Sequence, residues 1–173
     1  MSEHSYGVAL LNDGKYGYAG KENDLSLTLV KGGAFPNPSG SKKIPAFTYS
    51  LLPHSGGYEE GNVIEEASIL NRPLLAIEIP SPFVKETSCS LLSIQEKGVY
   101  VEHVKQTEDR ESYIFRIVEE HGDHHTFSFC LPYAKKAYLV DLMENRLKEI
   151  PIIHGEIDLE LAPFQIFSLE VCL

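Results

Sequence analysis

Tryptophan is absent from this sequence of 173 residues, methionine occurs only twice and cysteine three times. The cysteines Cys89, Cys130 and Cys172 lie far apart and form no CxxC pair, which argues against a disulfide scaffold and against a structural zinc site. Isolated cysteines are usually small core residues. We therefore predict a reducing compartment, the cytoplasm.

Basic residues and long apolar runs are also scarce. Lys and Arg number 15 against 25 Asp and Glu, which gives a formal net charge of −10. Nucleic-acid phosphates and anionic lipids attract clustered cations, so this balance argues against both partners and is typical of a solubilising surface. The apolar run at residues 8–11 is too short for a signal or membrane segment, and turn-forming residues follow it at once.

Complete catalytic motifs are missing as well, since the sequence holds no HExxH, no GxSxG and no phosphate-binding glycine motif. His121, His124 and His125 are close in sequence, as metal ligands can be, but they fall in a predicted turn whose side chains we expect to face water. His54 and Ser55 are neighbours at a strand end, where side chains point opposite ways, so they do not predict a hydrolase pair.

Carboxylate pairs occur at residues 59–60, 65–66 and 119–120. Glycoside hydrolysis needs two carboxyl groups that face each other at a set separation, and the sequence alone cannot place two of these carboxyl groups together. We interpret Glu65 and Glu66 as a solvated helix face, and we expect one of Glu119 and Glu120 to face solvent. The residues therefore predict no catalytic group, no metal ligand and no cofactor within this chain.

Strand-forming patterns are abundant, in keeping with nine Tyr and eight Phe. Alternating or apolar segments bounded by turn residues predict strands at residues 6–11, 25–29, 47–52, 91–94, 99–101, 113–118, 126–129, 137–140, 157–161 and 165–171. Gly122 and Asp123 predict a hairpin turn between two of them. A proline- and glycine-rich loop is expected at residues 32–45, and one short helix at about 59–71, with Val63, Ala67 and Leu70 on one face and Pro73 as its stop.

The sequence thus predicts an all-β protein of antiparallel β-sandwiches with one short helix. Pro80 and Pro82 break the chain between the helix and the later strands. We predict a first domain over residues 1–72, a linker over 73–87 and a small terminal β-sandwich over 88–173.

The segment at residues 10–18 combines turn formers, a cation and two tyrosines at the end of a strand. Such a loop is suited to sugars, which offer hydroxyl groups for hydrogen bonds and a C–H face for stacking. A simple turn with Tyr16 as a packing residue explains the same pattern, and composition alone favours that simpler explanation.

The same segment resembles a known family. YGVALLNDGKYG at residues 6–17 is similar to the GVAxLNDxKYG stretch in the C-terminal region of the α-mannosidases of glycoside hydrolase family 38. Six further segments match in order, among them FTYSLLPHSG, which resembles F-T-Y-A-L-x-P-H-x-G, and LAPFQIFSL, which resembles L-x-P-F-E-I-x-T-L. The seven segments lie at residues 6–17, 27–31, 47–56, 67–73, 116–119, 141–144 and 161–169.

The resemblance implies a retaining enzyme that removes terminal α-mannosides. Its catalytic carboxylates and a zinc-type divalent metal would belong to an N-terminal barrel outside this chain, which would be the main partner of this chain. Residues 1–72 would be the end of a large β-supersandwich. Asn12, Asp13, Lys15, Tyr16 and Lys31 would contribute to the rim of the mannose site.

Three departures from the family pattern accompany the resemblance. Lys31 stands where relatives usually have Arg, so a bidentate contact at that position is in doubt. Gly14 stands at a variable position that is often Cys in relatives. Gln165 replaces a Glu, without consequence for catalysis.

Two other functions fit the same sequence. A free-standing β-sandwich module could bind carbohydrate by itself, although a fold alone does not establish a function. A structural or interaction module would leave strand edges and apolar faces exposed, and such a chain would associate into a homo-oligomer to cover them.

Overall fold

A computed structural model describes residues 1–31, 35, 46–78, 88, 90–108 and 110–173. The chain divides into two compact units, Met1–Ile79 and Pro80–Leu173. The predicted loop at residues 32–45, apart from Phe35, and residues 79–87 of the predicted linker lie outside the described residues. The described part of that linker, residues 73–78, is exposed and has no regular secondary structure.

The described residues of the first unit form two small antiparallel ribbons and a helix. Strand β1 pairs with β4, and β2 pairs with β3, while helix α1 packs against β1. Their bounds are β1 Tyr6–Asn12, β2 Tyr18–Lys21, β3 Asp24–Leu27, β4 Tyr49–Ser55 and α1 Val63–Asn71.

Strand β4 was expected to end before Pro53, but it continues through the proline to Ser55. Pro53 lies opposite Val8, whose N–H and C=O both bond to Met1 at 2.8 and 3.0 Å. Val8 therefore needs no hydrogen bond from Pro53. The absence of an N–H on Pro53 removes no hydrogen bond between β1 and β4.

The prediction that the helix starts near Glu59 is wrong, because α1 begins at Val63. Residues 58–62 form turns instead, and Asn62 adopts the left-handed conformation with φ 47°. Glycines at positions 57 and 61 favour such turns over a helix, since glycine loses more backbone entropy in a helix than any other residue. The helix end at Asn71 is as predicted.

The second unit is a β-sandwich. A five-stranded antiparallel sheet has the order β5-β6-β11-β8-β9, and a two-stranded sheet pairs β10 with β7. Their bounds are β5 Val99–Gln106, β6 Tyr113–Glu119, β7 His125–Cys130, β8 Lys136–Val140, β9 Arg146–Ile150, β10 Glu156–Leu161 and β11 Ile166–Cys172.

The core of this unit lies between its two sheets. Alternate residues of each strand point inward, as in the Ile157, Leu159 and Leu161 series of β10, whose exposed fractions are 1%, 6% and 0%. The all-β prediction and the antiparallel sandwich are confirmed.

Two local predictions about strands are wrong, and the strands β2 and β9 were not predicted. Gly122 and Asp123 do not close a hairpin, because β6 pairs with β5 and β11, while β7 pairs with β10 in the other sheet. The expected strand at residues 91–94 is only an isolated bridge between Ser93 and Cys130. Strand β9 was not predicted, since its sequence RLKEI carries too few apolar residues to mark a strand.

The outer face of the five-stranded sheet carries a buried charge. Glu170 is fully buried and accepts hydrogen bonds from Arg146 Nε and Nη2 at 2.8 Å, Arg110 Nε at 3.0 Å and Ser112 Oγ at 2.5 Å. Hydrogen bonds from Arg146, the largest effect, lower the pKa of Glu170 to about 2. The Arg146 guanidinium also stacks on the Tyr138 ring, 4.0 Å from its centroid.

Candidate functional site

The loop that follows β1 is shaped by the side chain of Asn12. Its Oδ1 accepts the backbone N–H groups of Gly14, at 2.8 Å, and of Lys15. Its Nδ2 donates to the Tyr18 hydroxyl, which in turn donates to the Leu10 carbonyl at 3.0 Å. An Asx turn of this kind fixes the backbone locally, so the Asn12 side chain defines the loop instead of pointing to solvent.

Neighbouring elements hold the loop from both sides. Asn71, at the end of α1, donates its Nδ2 to the Asn12 carbonyl at 3.0 Å. The Asp13 N–H donates to the Thr48 carbonyl at 3.2 Å, and the Lys15 ammonium lies 5.1 Å from the centroid of the Phe47 ring. The loop is therefore fixed by residues from the helix and from the segment before β4.

Two groups of the loop remain open to solvent. The Tyr16 side chain is 93% exposed, and Asp13 is exposed as well. A hydrogen bond with the Thr48 backbone lowers the pKa of Asp13, so its carboxylate is ionised at neutral pH. The loop thus presents an aromatic ring and a carboxylate on a fixed backbone, which suits stacking and hydroxyl recognition.

Four of the five predicted rim residues, Asn12, Asp13, Lys15 and Tyr16, lie in this one loop. Lys31 is exposed and follows β3, and the hydrogen bonds that shape the loop do not include it. Sequence reasoning did not assign a role to Thr48 or Asn71, although both lie in segments that carried the family resemblance. Their contacts with the loop depend on tertiary structure, which spacing along the chain does not reveal.

The predicted turn implied that the histidines at 121–125 all face water. The structure shows that they do not. The His125 side chain is only 11% exposed, and its Nδ1 lies 2.9 Å from Glu96 Oε1. His121 lies edge-on to the Tyr100 ring, with centroids 6.2 Å apart, whereas His124 is exposed. Within the described residues, no group of three or more His, Cys, Asp or Glu side chains could hold a metal ion.

Glu119 is a buried structural carboxylate. It accepts backbone N–H groups from His121 at 2.8 Å, Gly122 at 2.9 Å and Phe164 at 2.7 Å. Burial alone would raise the pKa of Glu119, but these bonds outweigh it and lower the pKa to about 2. Its partner Glu120 is half-buried, so the pair splits between the protein interior and its surface.

His54 is enclosed by glycines. A Cβ on Gly7 would overlap the imidazole ring, and one on Gly61 would lie 2.5 Å from its Cγ. Its Nδ1 is buried and has no hydrogen-bond partner among the described residues. The ring therefore packs between β1 and the turn before α1, and Ser55, its neighbour in sequence, is exposed.

Cys130 and Cys172 are free thiols and half-buried, while Cys89 lies outside the described residues. No helix of the part of the chain that the structure describes is long and apolar enough to cross a membrane.

Two family models match the chain, and they define its class as the C-terminal β region of a glycosyl hydrolase. Residues 98–169 match the Glycosyl hydrolases family 38 C-terminal beta sandwich domain, and residues 1–39 match the Glycosyl hydrolases family 38 C-terminal domain. The chain belongs to glycosyl hydrolases family 38, as the resemblance of its motifs predicted.

The curated relatives that are similar to this chain are α-mannosidases. The chain is 37% identical over 180 residues to Alpha-mannosidase 2C1 of Homo sapiens, and 36% identical over 183 residues to that of Mus musculus. Each match covers 100% of this chain and 17% of the relative. Alpha-mannosidase G of Dictyostelium discoideum is 32% identical over 131 residues, which cover 75% of this chain and 12% of that relative.

Proposed function

We propose that this chain is the C-terminal β region of a retaining α-mannosidase, which supports the catalytic barrel and completes the rim of the mannose site. The observation that carries the proposal is the match to α-mannosidases along the whole chain, at 37% and 36% identity. Because the chain spans only 17% of those relatives, the catalytic carboxylates and the zinc-type metal are assigned to the remaining part of the enzyme. The isolated chain is then not catalytic.

The loop at residues 12–18 supports the rim assignment. Tyr16 offers an exposed ring for the C–H face of a sugar, and the Asp13 carboxylate offers an acceptor for its hydroxyl groups. Their backbone is already fixed by Asn12 and Asn71, so little conformational entropy would be lost when the sugar binds. Lys31 is included in the rim on the family resemblance alone.

The surface of the first unit supports the barrel-docking assignment. One face of the β1–β4 ribbon carries Tyr6, Tyr49 and Leu51, which are 53%, 54% and 64% exposed. A large exposed apolar surface can mark a protein interface. The remainder of the same enzyme is the occupant that we propose.

The rim assignment is tested in the full-length enzyme with Tyr16→Ala. Loss of ring stacking should lower kcat/KM for an aryl α-mannoside about tenfold, which corresponds to about 1.4 kcal/mol of transition-state stabilisation. Tyr133→Ala is the matched control, because Tyr133 is also exposed, at 51%, but lies in the second unit, and it should leave kcat/KM unchanged. Equal kinetics for the wild type and Tyr16→Ala would remove Tyr16 from the rim.

The isolated chain provides the second arm of this test. The purified 173-residue protein should not hydrolyse the same substrate with or without added zinc. Measurable turnover would overturn the proposal that the catalytic groups lie outside this chain. Calorimetry with mannose and mannobiose tests the alternative, since millimolar or tighter binding by the isolated chain would identify a free-standing carbohydrate-binding module.

We also propose a cytoplasmic location. The free thiols of Cys130 and Cys172 support it, because secreted domains of this size commonly use their cysteines in disulfides.

A further inference from the structure

The turn between β8 and β9 presents two large apolar side chains to solvent. Leu142 is 69% exposed and Met143 is 81% exposed. We propose that these two residues, the Leu142–Met143 knob, insert into an apolar pocket on the part of the same polypeptide that lies outside this chain. The inference rests on the proposed function, because that function supplies the longer polypeptide.

The turn is closed by its own first residue. Asp141 Oδ1 accepts the N–H groups of Met143 and Asn145 at 2.9 Å each, and its Oδ2 accepts Asn145 Nδ2 at 2.9 Å. Backbone hydrogen bonds between Asp141 and Asn145, at 3.1 Å, and between Glu144 and Asp141, at 3.0 Å, complete the turn. The knob is therefore presented on a fixed backbone.

Two arginine side chains, Arg116 and Arg110, bind backbone carbonyl groups of the turn. Arg116 Nη2 donates to the Leu142 carbonyl at 3.4 Å, and Arg110 Nη2 donates to the Glu144 carbonyl at 3.0 Å. Arg110 is itself bonded to the buried Glu170. The position of the knob is thus fixed relative to the core of the second unit.

The charged side chains next to the knob, Asp141 and Glu144, already have hydrogen-bond or ion-pair partners, which makes the knob easier to bury. The Asp141 carboxylate accepts three hydrogen bonds within the turn, and Glu144 pairs with Lys105 at 2.6 Å. Burying a polar group costs the most free energy where its hydrogen bonds are lost. The knob can therefore leave water without breaking these bonds, and the flexible Met143 thioether adapts to the shape of a pocket.

The size of the knob favours an occupant on the same polypeptide over a second copy. A stable interface between separate chains buries roughly 1,200 Å² or more, whereas two side chains cover only a few hundred Å². Covalent linkage removes most of the entropy cost of association, so a small contact is sufficient. The relatives are long enough to provide it, because this chain spans only 17% of them.

Met143 is a built-in reporter of docking, because methionine oxidation requires access of peroxide to the sulfur. Only Met1 and Met143 occur in the chain, so mass spectrometry assigns the oxidised site directly. We expect Met143 to be oxidised at least about tenfold more slowly in the full-length polypeptide than in the isolated chain, as for a knob docked in about nine-tenths of the molecules. Leu142→Ser in the full-length polypeptide should restore much of the rate.

The I153M reporter is the matched control, since Ile153 is 60% exposed in the same unit. It should be oxidised at equal rates in the isolated chain and in the full-length polypeptide. Equal rates at Met143, or equal slowing at both positions, would overturn the proposal. Protection of Met143 that rises with the concentration of the isolated chain would also overturn it, in favour of a second copy. None of these readings depends on α-mannosidase turnover, so failure of the proposed function would be recognised separately.

Discussion

Two buried glutamates of the second unit stay ionised by different means. Glu119 is surrounded by backbone N–H groups, whereas Glu170 is bonded to guanidinium groups and a hydroxyl. In both cases the pKa falls from 4.5 to about 2. Each carboxylate therefore contributes stability that is fully present above pH 4.5 and is lost as the pH falls towards 2.

Glu170→Gln should lower the free energy of unfolding of the second unit by about 3 kcal/mol at pH 7, because a neutral amide cannot balance the charge of Arg146, which donates two hydrogen bonds to the Glu170 carboxylate. Glu149→Gln is the control, since Glu149 lies exposed on β9 and should change the stability by less than about 0.5 kcal/mol. Urea unfolding followed by circular dichroism measures both variants.

The pH dependence of the stability difference between wild type and Glu170→Gln tests whether the charge of Glu170 is the cause. The wild-type carboxylate becomes protonated as the pH approaches 2, so the difference between wild type and Glu170→Gln should shrink over the interval from 4.5 down to 2. A difference that stays constant over this interval would show that the charge of Glu170 is not its cause.

Residue roles of this kind were largely beyond sequence reasoning. The sequence places Glu119 and Glu120 at a strand end with one of them facing solvent, but it does not reveal which one is buried, because the Glu119 partner Phe164 is 45 positions away along the chain. Asn12 was recognised as a turn former, because an Asx turn is local and its partners Gly14 and Lys15 are close in sequence.

At the scale of elements, the edge strands β5, β9 and β10 of the sandwich carry features that oppose pairing with other chains. Strand β9 carries Arg146, Lys148 and Glu149, and β10 places Glu156, Asp158 and Glu160 on its exposed face. Strand β5 has an irregular register between Val101 and His103. Charges and bulges are the usual means of blocking edge-to-edge addition.

The β1–β4 ribbon depends on glycine at position 7, where the His54 ring takes the space of a side chain. Gly7→Ala should destabilise the ribbon by about 2 kcal/mol, because the imidazole would have to move. Gly20→Ala is the control, since a Cβ on Gly20 of β2 has nothing within 4 Å and should be tolerated. Amide hydrogen exchange in β1 and β4 measures the effect.

The double variant Gly7→Ala/His54→Ala identifies the cause. If the clash is responsible, removing the ring should make Gly7→Ala nearly neutral in that background. Equal destabilisation in both backgrounds would point to the backbone of β1 instead.

Strands were predicted more successfully than their pairing. Alternation of apolar residues is a local signal, and it located β3, β6, β7, β10 and β11 to within a few residues. Turn residues such as Gly122 and Asp123 show that the chain changes direction, but not which strand lies beside it. The connection between β6 and β7 crosses from one sheet to the other, and only the packing of the two sheets decides that.

At the scale of the molecule, the two units differ in how much core they contain. In Met1–Ile79, only Gly7 and Leu11 are buried among the described residues, whereas the second unit contains a continuous apolar cluster. The first unit therefore has little burial to oppose the conformational entropy of the unfolded chain. Its stability would increase when its apolar face is covered by a partner.

The isolated chain should accordingly unfold in two steps in urea, with the first unit unfolding at the lower concentration. The fragment Pro80–Leu173 should unfold with the same free energy as the second step, to within about 0.5 kcal/mol. Chemical-shift changes of amides in each unit follow the two steps separately. A single cooperative transition of all probes would show that the units depend on each other for stability.

The way in which the turn between β8 and β9 is held also has an evolutionary consequence. Its closure relies on Asp141, Asn145 and the carbonyl groups of the backbone, not on the side chains at positions 142 and 143. Substitutions at these two positions should therefore be nearly neutral for folding. The residues found at positions 142 and 143 in natural relatives would therefore reflect selection for the contacts of these side chains and not for folding. New residues can be introduced at both positions without loss of the fold.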